Sequence, residues 1–89
     1  MLAYLNSIGA SPMHKLLDTV ALTHDLPTAG LRAGDVGAVV DVLAPDAFEV
    51  EFVAASGRTQ ALVTLGTADI RALGDQDLLA VRSLAESAV

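Results

Sequence analysis

Two adjacent stretches in the middle of the chain alternate apolar and polar side chains at every second position. The first covers residues 35–43, and its apolar face consists of Val36, Ala38, Val40 and Val42. The second has an apolar face formed by Phe48, Val50 and Phe52, with Glu49 and Glu51 on the other face. A period of two is typical of half-buried antiparallel strands. Because Ala44-Pro45-Asp46 supplies a turn between the stretches, they predict a hairpin whose acidic side chains face outward.

Shorter apolar runs predict further strands on both sides of this hairpin. A first strand covers Thr19–Thr23 with Val20 and Leu22 inward, and Ala68–Leu73 forms a single turn followed by a last small strand. Another strand covers Gln60–Leu65, and its inward residues are Ala61, Val63 and Leu65. Strands this short do not form a stable open sheet with one bare face, and no crossover helix fits between them. The chain is therefore predicted to be mainly β, a small antiparallel barrel of about five strands.

The last part of the chain has the pattern of an amphipathic helix. Asp75 follows Gly74 and is a suitable N-cap for a helix that runs to about Ser87. The apolar side of this helix would consist of Leu78, Val81, Leu84, Ala85 and Ala88. It either covers an open end of the chain's own barrel or contacts another subunit. The expected organisation is a short N-terminal extension or helix (residues 1–15), the barrel (residues 16–73) and a C-terminal helix (residues 74–89).

The composition restricts both the size of the fold and the kinds of partner. The chain has 89 residues, enough for one domain, and a formal net charge of −6. Phosphate binding needs a basic surface, so we expect no nucleic acid partner. The chain contains no apolar run of about 18 residues, so we expect no membrane partner. The apolar stretch Leu2–Ile8 is preceded by no basic residue and the chain has no cysteine, which together predict a cytoplasmic protein.

Several short pieces of the sequence together resemble a known family. They are Leu17-Asp18-Thr19-Val20, Asp25-Leu26-Pro27, Gly34-Asp35-Val36-Gly37, Val39-Val40, Phe48-Glu49-Val50-Glu51-Phe52 and Leu62-Val63-Thr64-Leu65. Over residues 16–73 the chain resembles the short prokaryotic proteins catalogued as domain of unknown function 4926. The resemblance implies an SH3-like barrel and carries no established activity. Proteins of this kind usually start near the position of Met13, which implies that residues 1–12 are an extension.

The sequence shows none of the patterns that mark a catalytic or ligand-binding site. No serine lies in a Gly-x-Ser-x-Gly pattern, and without cysteine there is no thiol nucleophile. The histidines are His14 and His24, and His24-Asp25 indicates a surface loop because adjacent residues rarely bind one metal ion without further ligands. The glycine-rich stretch over residues 30–37 precedes a strand and lacks the lysine of a phosphate-binding loop. We therefore predict no catalytic residue, no cofactor and no metal site.

The distribution of charge is the one feature that points to a binding surface. Residues 35–55 contain five acidic residues and no basic one, so they carry −5 of the net −6. A hairpin loop over residues 44–46 places Asp41 opposite Glu49, while a longer loop places Asp41 opposite Glu51. Like charges opposed across strands are mildly destabilising. This face either meets a basic surface of a partner or is a solvated face that aids solubility.

These observations predict a non-catalytic, acidic protein-interaction or accessory module. Its partner is expected to be another protein or a second copy, bound through Asp41, Glu49, Glu51, Leu78 and Val81. An alternative is an antitoxin or immunity-type inhibitor that covers a basic surface of a partner protein, an analogy of charge and size rather than of motif. An enzyme would need a site built between subunits. An RNA-binding barrel would need basic residues that are missing here.

Overall fold

A computed structural model describes residues 13–85, so the predicted extension up to residue 12 and the predicted contact of Ala88 lie outside the described residues. The five strands are β1 (Thr19–Leu22), β2 (Val36–Ala44), β3 (Ala47–Val53), β4 (Thr59–Gly66) and β5 (Ile70–Ala72). Two 3₁₀ turns, Pro27–Ala29 and Thr67–Asp69, precede β2 and β5. The prediction of a mainly β chain with about five strands is confirmed.

All five strands belong to one antiparallel sheet, in the order β4-β3-β2-β1-β5. The edge strands β4 and β5 are not hydrogen-bonded to each other, so the sheet is open and the prediction of a closed barrel is wrong. Closure is not needed because the long connection between β1 and β2 covers the apolar face. Leu26, Ala29 and Leu31 of this connection pack against the core. The SH3-like barrel that the resemblance implies is therefore not confirmed.

The core consists of side chains from the inner face of the sheet and from that connection. Phe48, Val50 and Phe52 of β3 are buried, as the alternation predicts, and so are Val20 and Leu22 of β1. The predicted inward residues of β4 also contact this core: Ala61, Val63 and Leu65. Burying an aliphatic or phenylalanine side chain contributes about 1.5–3 kcal/mol. The short strands are therefore held together mainly by this apolar cluster.

The inner face of β2 differs from the predicted one because β2 contains two β-bulges. Val39 lies opposite Val50, but the next paired residue is Asp41, opposite Glu49, so Val40 is the extra residue. An extra residue reverses the alternation, so the first half of β2 turns its other residues inward. The buried residues there are Gly37 and Val39. The inward assignment of Val36, Ala38 and Val40 is wrong, and of the predicted set Val42 packs against the core.

Gly37 allows β2 to approach β3 closely at this position. A Cβ atom on Gly37 would lie 2.8 Å from Cε2 of Phe52 and 2.9 Å from the carbonyl oxygen of Glu51. Any side chain would therefore displace either the buried ring or the neighbouring backbone. The ring of Phe52 instead packs directly against the β2 main chain.

Within residues 75–85, the described part of the predicted C-terminal helix, no α-helix forms. Residues 73–83 form no helix or strand, and the part of the chain that the structure describes ends with a short 3₁₀ turn at residues 84–85. Leu78 is 91% exposed and Val81 is 98% exposed, so the first half of the expected apolar side lies in solvent. A helix of about 13 residues without tertiary packing is marginal in water. We call residues 73–85 the C-terminal segment.

Two ion pairs hold the C-terminal segment in its irregular path. Arg71 donates from Nη1 and Nη2 to Asp77 at 2.9 and 3.0 Å, and Asp77 Oδ2 also accepts the backbone N–H of Gly74 at 2.7 Å. The Arg71 guanidinium, helped by that N–H, lowers the pKa of Asp77 to about 2. Further along, Arg82 donates from Nε and Nη2 to Asp35 at 2.8 and 2.7 Å. The segment thus follows its tertiary contacts rather than its helical period.

Candidate protein-interaction surface

The outward side of the β2–β3 hairpin carries three of the residues predicted to bind a partner, and we call Asp41, Glu49 and Glu51 the acidic face. Asp41 lies opposite Glu49, as expected for the shorter loop. The turn is Pro45-Asp46, two residues instead of the expected three. The second β-bulge of β2 adds one residue between the turn and Val42, so Asp41 still lies opposite Glu49. Asp41 is exposed, and both glutamates are half-buried. The acidic side chains therefore lie on the sheet side opposite the buried residues of β3.

Two threonines of β4 hold the glutamates of the acidic face. Thr64 Oγ1 donates to Glu49 Oε1 at 2.5 Å, and Thr59 Oγ1 donates to Glu51 Oε2 at 2.6 Å. A hydroxyl donor orders a carboxylate without neutralising its charge. Leu62 lies opposite Glu51 and is 54% exposed. The result is an ordered negative surface with an apolar side chain beside it.

The ion pairs of the described residues leave the acidic face uncompensated. Over residues 13–85 the ion pairs are Lys15–Asp18, His24–Asp69, Arg71–Asp77 and Arg82–Asp35. Three of the five lysine and arginine residues are therefore engaged elsewhere. Among residues 13–85, the side-chain hydrogen bond to this opposed pair of carboxylates comes from the Thr64 hydroxyl, which donates to Glu49. Like charges directly opposed across two strands are in general mildly destabilising.

Leu78 and Val81, the other two residues predicted to bind a partner, lie on the C-terminal segment. The prediction placed them on one side of a helix, but the described residues around them, 73–83, form no helix. Both side chains point into solvent and form no packed face. They remain accessible to a partner, but the structure does not combine them into the apolar stripe that the sequence pattern predicts.

His24 and Asp25 form an exposed loop in which both side chains make structural hydrogen bonds. His24 Nε2 lies 2.7 Å from Asp69 Oδ1, and its Nδ1 lies 3.0 Å from the carbonyl oxygen of Asp25. The Asp69 carboxylate raises the pKa of His24, and His24 in turn lowers the pKa of Asp69. Asp25 Oδ1 accepts the backbone N–H of Ala33 at 2.8 Å. No group of three or more potential metal ligands occurs within residues 13–85.

Two features of the structure have no signal in the sequence. His14 is only 5% exposed, its ring meets Phe48 edge-on with 5.2 Å between centroids, and its Nδ1 has no hydrogen-bond partner among the described residues. Arg82 and Asp35 form an ion pair between residues 47 positions apart. A lone histidine and a single long-range pair create no periodicity, so sequence patterns do not find them.

The fold and this surface define a class: a small, mainly β protein with one open antiparallel sheet and an acidic face on its outward side. Within that class, the chain belongs to the family described as Domain of unknown function (DUF4926), whose family model matches residues 16–72. The matched residues include all five strands and end before the C-terminal segment. Comparison with curated proteins and with solved structures finds no match. Within residues 13–85, no helix is long and apolar enough to cross a membrane.

Proposed function

We propose that this protein is a non-catalytic interaction module that binds a basic surface of a partner protein through its acidic face. The supporting observation is that Asp41, Glu49 and Glu51 share one side of the sheet and form no ion pair within residues 13–85. The opposed carboxylates of Asp41 and Glu49 destabilise the free protein. Positive charges of a partner would offset that repulsion, so its relief would contribute to the free energy of binding.

The order of the acidic face supports recognition rather than a purely solubilising role. Thr64 and Thr59 hold the glutamates in place before any partner arrives, so binding costs less side-chain entropy. Alternate residues of a strand lie about 7 Å apart, which sets a fixed spacing between the two glutamates. Complementary charge at fixed spacing selects partners and speeds their association.

A second candidate within this class is an antitoxin or immunity-type inhibitor. It is supported by the exposed Leu62 beside the acidic face, since a negative surface with an apolar contact complements a basic nucleic-acid-binding site. In that case this protein and nucleic acid compete for the same surface of the partner. Added RNA or DNA would then release the partner, whereas a partner with a different basic surface would stay bound.

Isosteric substitutions test the acidic face with little change in shape. Asp41→Asn combined with Glu49→Gln removes two charges and keeps an oxygen that can accept from Thr64. The matched control combines Asp46→Asn with Asp75→Asn, because these side chains make no hydrogen bond in the described part of the chain. Both variants lose the same net charge, so they differ only in where the charge is lost.

The measurement is affinity capture by the tagged full chain from host lysate, with bound proteins quantified by mass spectrometry. We expect a protein that the wild type and the control capture equally and that the face variant loses by about tenfold. A charge-assisted hydrogen bond contributes about 1.5–3 kcal/mol, and 1.4 kcal/mol is about a tenfold change in affinity. Equal capture by all three proteins overturns the proposal. Competition by nucleic acid separates the inhibitor from the general module.

A further inference from the structure

The C-terminal segment lies across a groove formed by the β1–β2 connection and by the ends of β2 and β3. The sheet side of the groove is lined by Leu31, Asp35, Val36, Phe52, Val53 and Gln60. The opposite side is lined by Arg82, Leu84 and their neighbours. The groove is open on one side and has a volume of about 600 Å³. Ligand sites in proteins usually have volumes of about 300–1,000 Å³.

Arg82 anchors the segment at a preformed acceptor. Its Nε and Nη2 donate to the two oxygens of Asp35 at 2.8 and 2.7 Å, and Nη2 also donates to the carbonyl oxygen of Gly30 at 3.1 Å. The Asp35 carboxylate is oriented independently by the backbone N–H of Arg32, at 2.8 Å. The side chains of Arg82 and Asp35 are 21% and 17% exposed. This planar, two-pronged arrangement suits a guanidinium and does not suit an ammonium group.

Apart from Arg82 and Leu84, the segment places mostly small or exposed side chains at the groove. Leu84 lines the groove and is 40% exposed, but the other residues beside Arg82 fill little of it: Ala80, Ser83 and Ala85 are small, and Val81 is 98% exposed. The groove is open to solvent on one side, so the space beside the segment can admit larger side chains than those of Ser83 and Ala85. Asp35 lies within the family match over residues 16–72, whereas Arg82 lies outside it.

We propose that this groove binds an extended segment of a partner protein that carries an arginine followed by bulky apolar residues, and that residues 80–85 occupy it as a tethered competitor. The arginine would take the place of Arg82 on Asp35, and the apolar residues would fill the space that small residues leave open. A short tether gives an effective concentration in the millimolar range. The wild-type groove is therefore closed to weak ligands and open to those that outcompete Arg82. This inference does not depend on the acidic face.

The test measures the binding of a labelled peptide to the full chain by fluorescence anisotropy. The probe is Ala-Val-Arg-Phe-Leu-Leu, which is the sequence of residues 80–85 with larger residues at the positions of Ser83 and Ala85. Arg82→Ala removes the tethered competitor, and Arg58→Ala in the β3–β4 turn is the matched control. We expect the Arg82→Ala chain to bind at least about tenfold tighter than the wild type and the control. A probe with lysine in place of arginine should bind about tenfold more weakly.

Two further variants test the role of Asp35 and guard against misfolding of Arg82→Ala. Adding Asp35→Asn to Arg82→Ala should abolish binding, and Arg82→Gln serves as a second released variant if Arg82→Ala does not fold. Amide NMR spectra check that each chain keeps its sheet. The proposal is overturned if the wild type and the folded Arg82 variants bind the peptide equally. It is also overturned if Asp35→Asn leaves the affinity for the peptide unchanged. A dimer that Arg82→Ala converts to a monomer would assign the groove to a second copy and would also overturn it.

Discussion

The opposition of Asp41 and Glu49 predicts that one substitution can stabilise the free protein. In Asp41→Lys, a repulsive cross-strand pair becomes an attractive one at the same position of the ladder. Directly opposed pairs contribute about 0.2–1 kcal/mol each, with a sign set by their charges. Removing the repulsion and adding the attraction together should raise the free energy of unfolding by about 0.5–1.5 kcal/mol. For a domain of this size, about 1 kcal/mol corresponds to about 4–8 °C in Tm.

Urea unfolding followed by circular dichroism measures this change. The control is Asp46→Lys, which alters the net charge by the same amount but lies in the turn, outside the opposed pair. At about 1 M salt the Debye length falls to about 3 Å, so the advantage of Asp41→Lys over the control should shrink. Adding Glu49→Lys to Asp41→Lys restores like charges and should cancel the gain.

The same substitution separates stability from binding. If the acidic face binds a basic partner, Asp41→Lys should stabilise the free chain and weaken capture of the partner. Should Asp41→Lys be no more stable than Asp46→Lys at low salt, the two carboxylates do not interact appreciably. The energetic argument for a basic partner would then fail, whatever the capture experiment shows.

Three further predictions concern the core and the surface pair at His24. Gly37→Ala brings a Cβ to 2.8 Å from the Phe52 ring and should lower the free energy of unfolding by about 1–3 kcal/mol, measured in urea. His14→Leu removes a buried Nδ1 that has no partner among the described residues and should raise the free energy of unfolding by about 1 kcal/mol in the same assay. The raised pKa of His24 stabilises the fold below the unfolded value of about 6.5, and this contribution is lost as pH rises through the folded pKa. The lowered pKa of Asp69 acts oppositely, and its contribution is lost as pH falls below 3.8. In His24→Gln, the loss of stability as pH rises above about 6.5 should therefore be smaller than in the wild type.

Each of these predictions has a contrary outcome. An unchanged unfolding midpoint in Gly37→Ala would mean that β2 and β3 are not in close contact at that position. Destabilisation by His14→Leu would mean that the ring edge against Phe48 contributes more than the unpaired nitrogen costs. A pH profile of His24→Gln that coincides with that of the wild type would show that the pair with Asp69 does not form in solution.

The strands differ in how well the sequence predicts them, and the reason is the β-bulge. In β3, the alternation of Phe48, Val50 and Phe52 continues without interruption, so its buried face is predicted correctly. In β2, apolar residues fill both faces around Val39 and Val40, and the pattern cannot show which of them is the extra residue. The bulge appears in the pairing of β2 with β3, and that pairing is a tertiary effect.

The C-terminal segment shows a second limit of sequence patterns. The spacing of Leu78 and Val81 suits a helix, but helical spacing stabilises a helix only when its apolar side is buried. Here Asp77 pairs with Arg71 and Arg82 pairs with Asp35, and these ion pairs hold the backbone in another path.

The two proposed binding surfaces also differ in how far the sequence predicts them. The outward placement of the acidic face was predictable because it follows from alternation, whereas the groove at Asp35 depends on a contact between distant residues.

The position of β1 between β2 and β5 affects how the chain can fold while it is being translated. Strands β1 to β4 can pair in the order in which a ribosome makes them, but the second edge of β1 is covered only by β5, which is made last. Until Ile70–Ala72 leaves the exit tunnel, the apolar β1 strand has an unpaired edge that can pair with other chains. Translation that stops before residue 70 should therefore yield an aggregation-prone fragment rather than a smaller soluble domain.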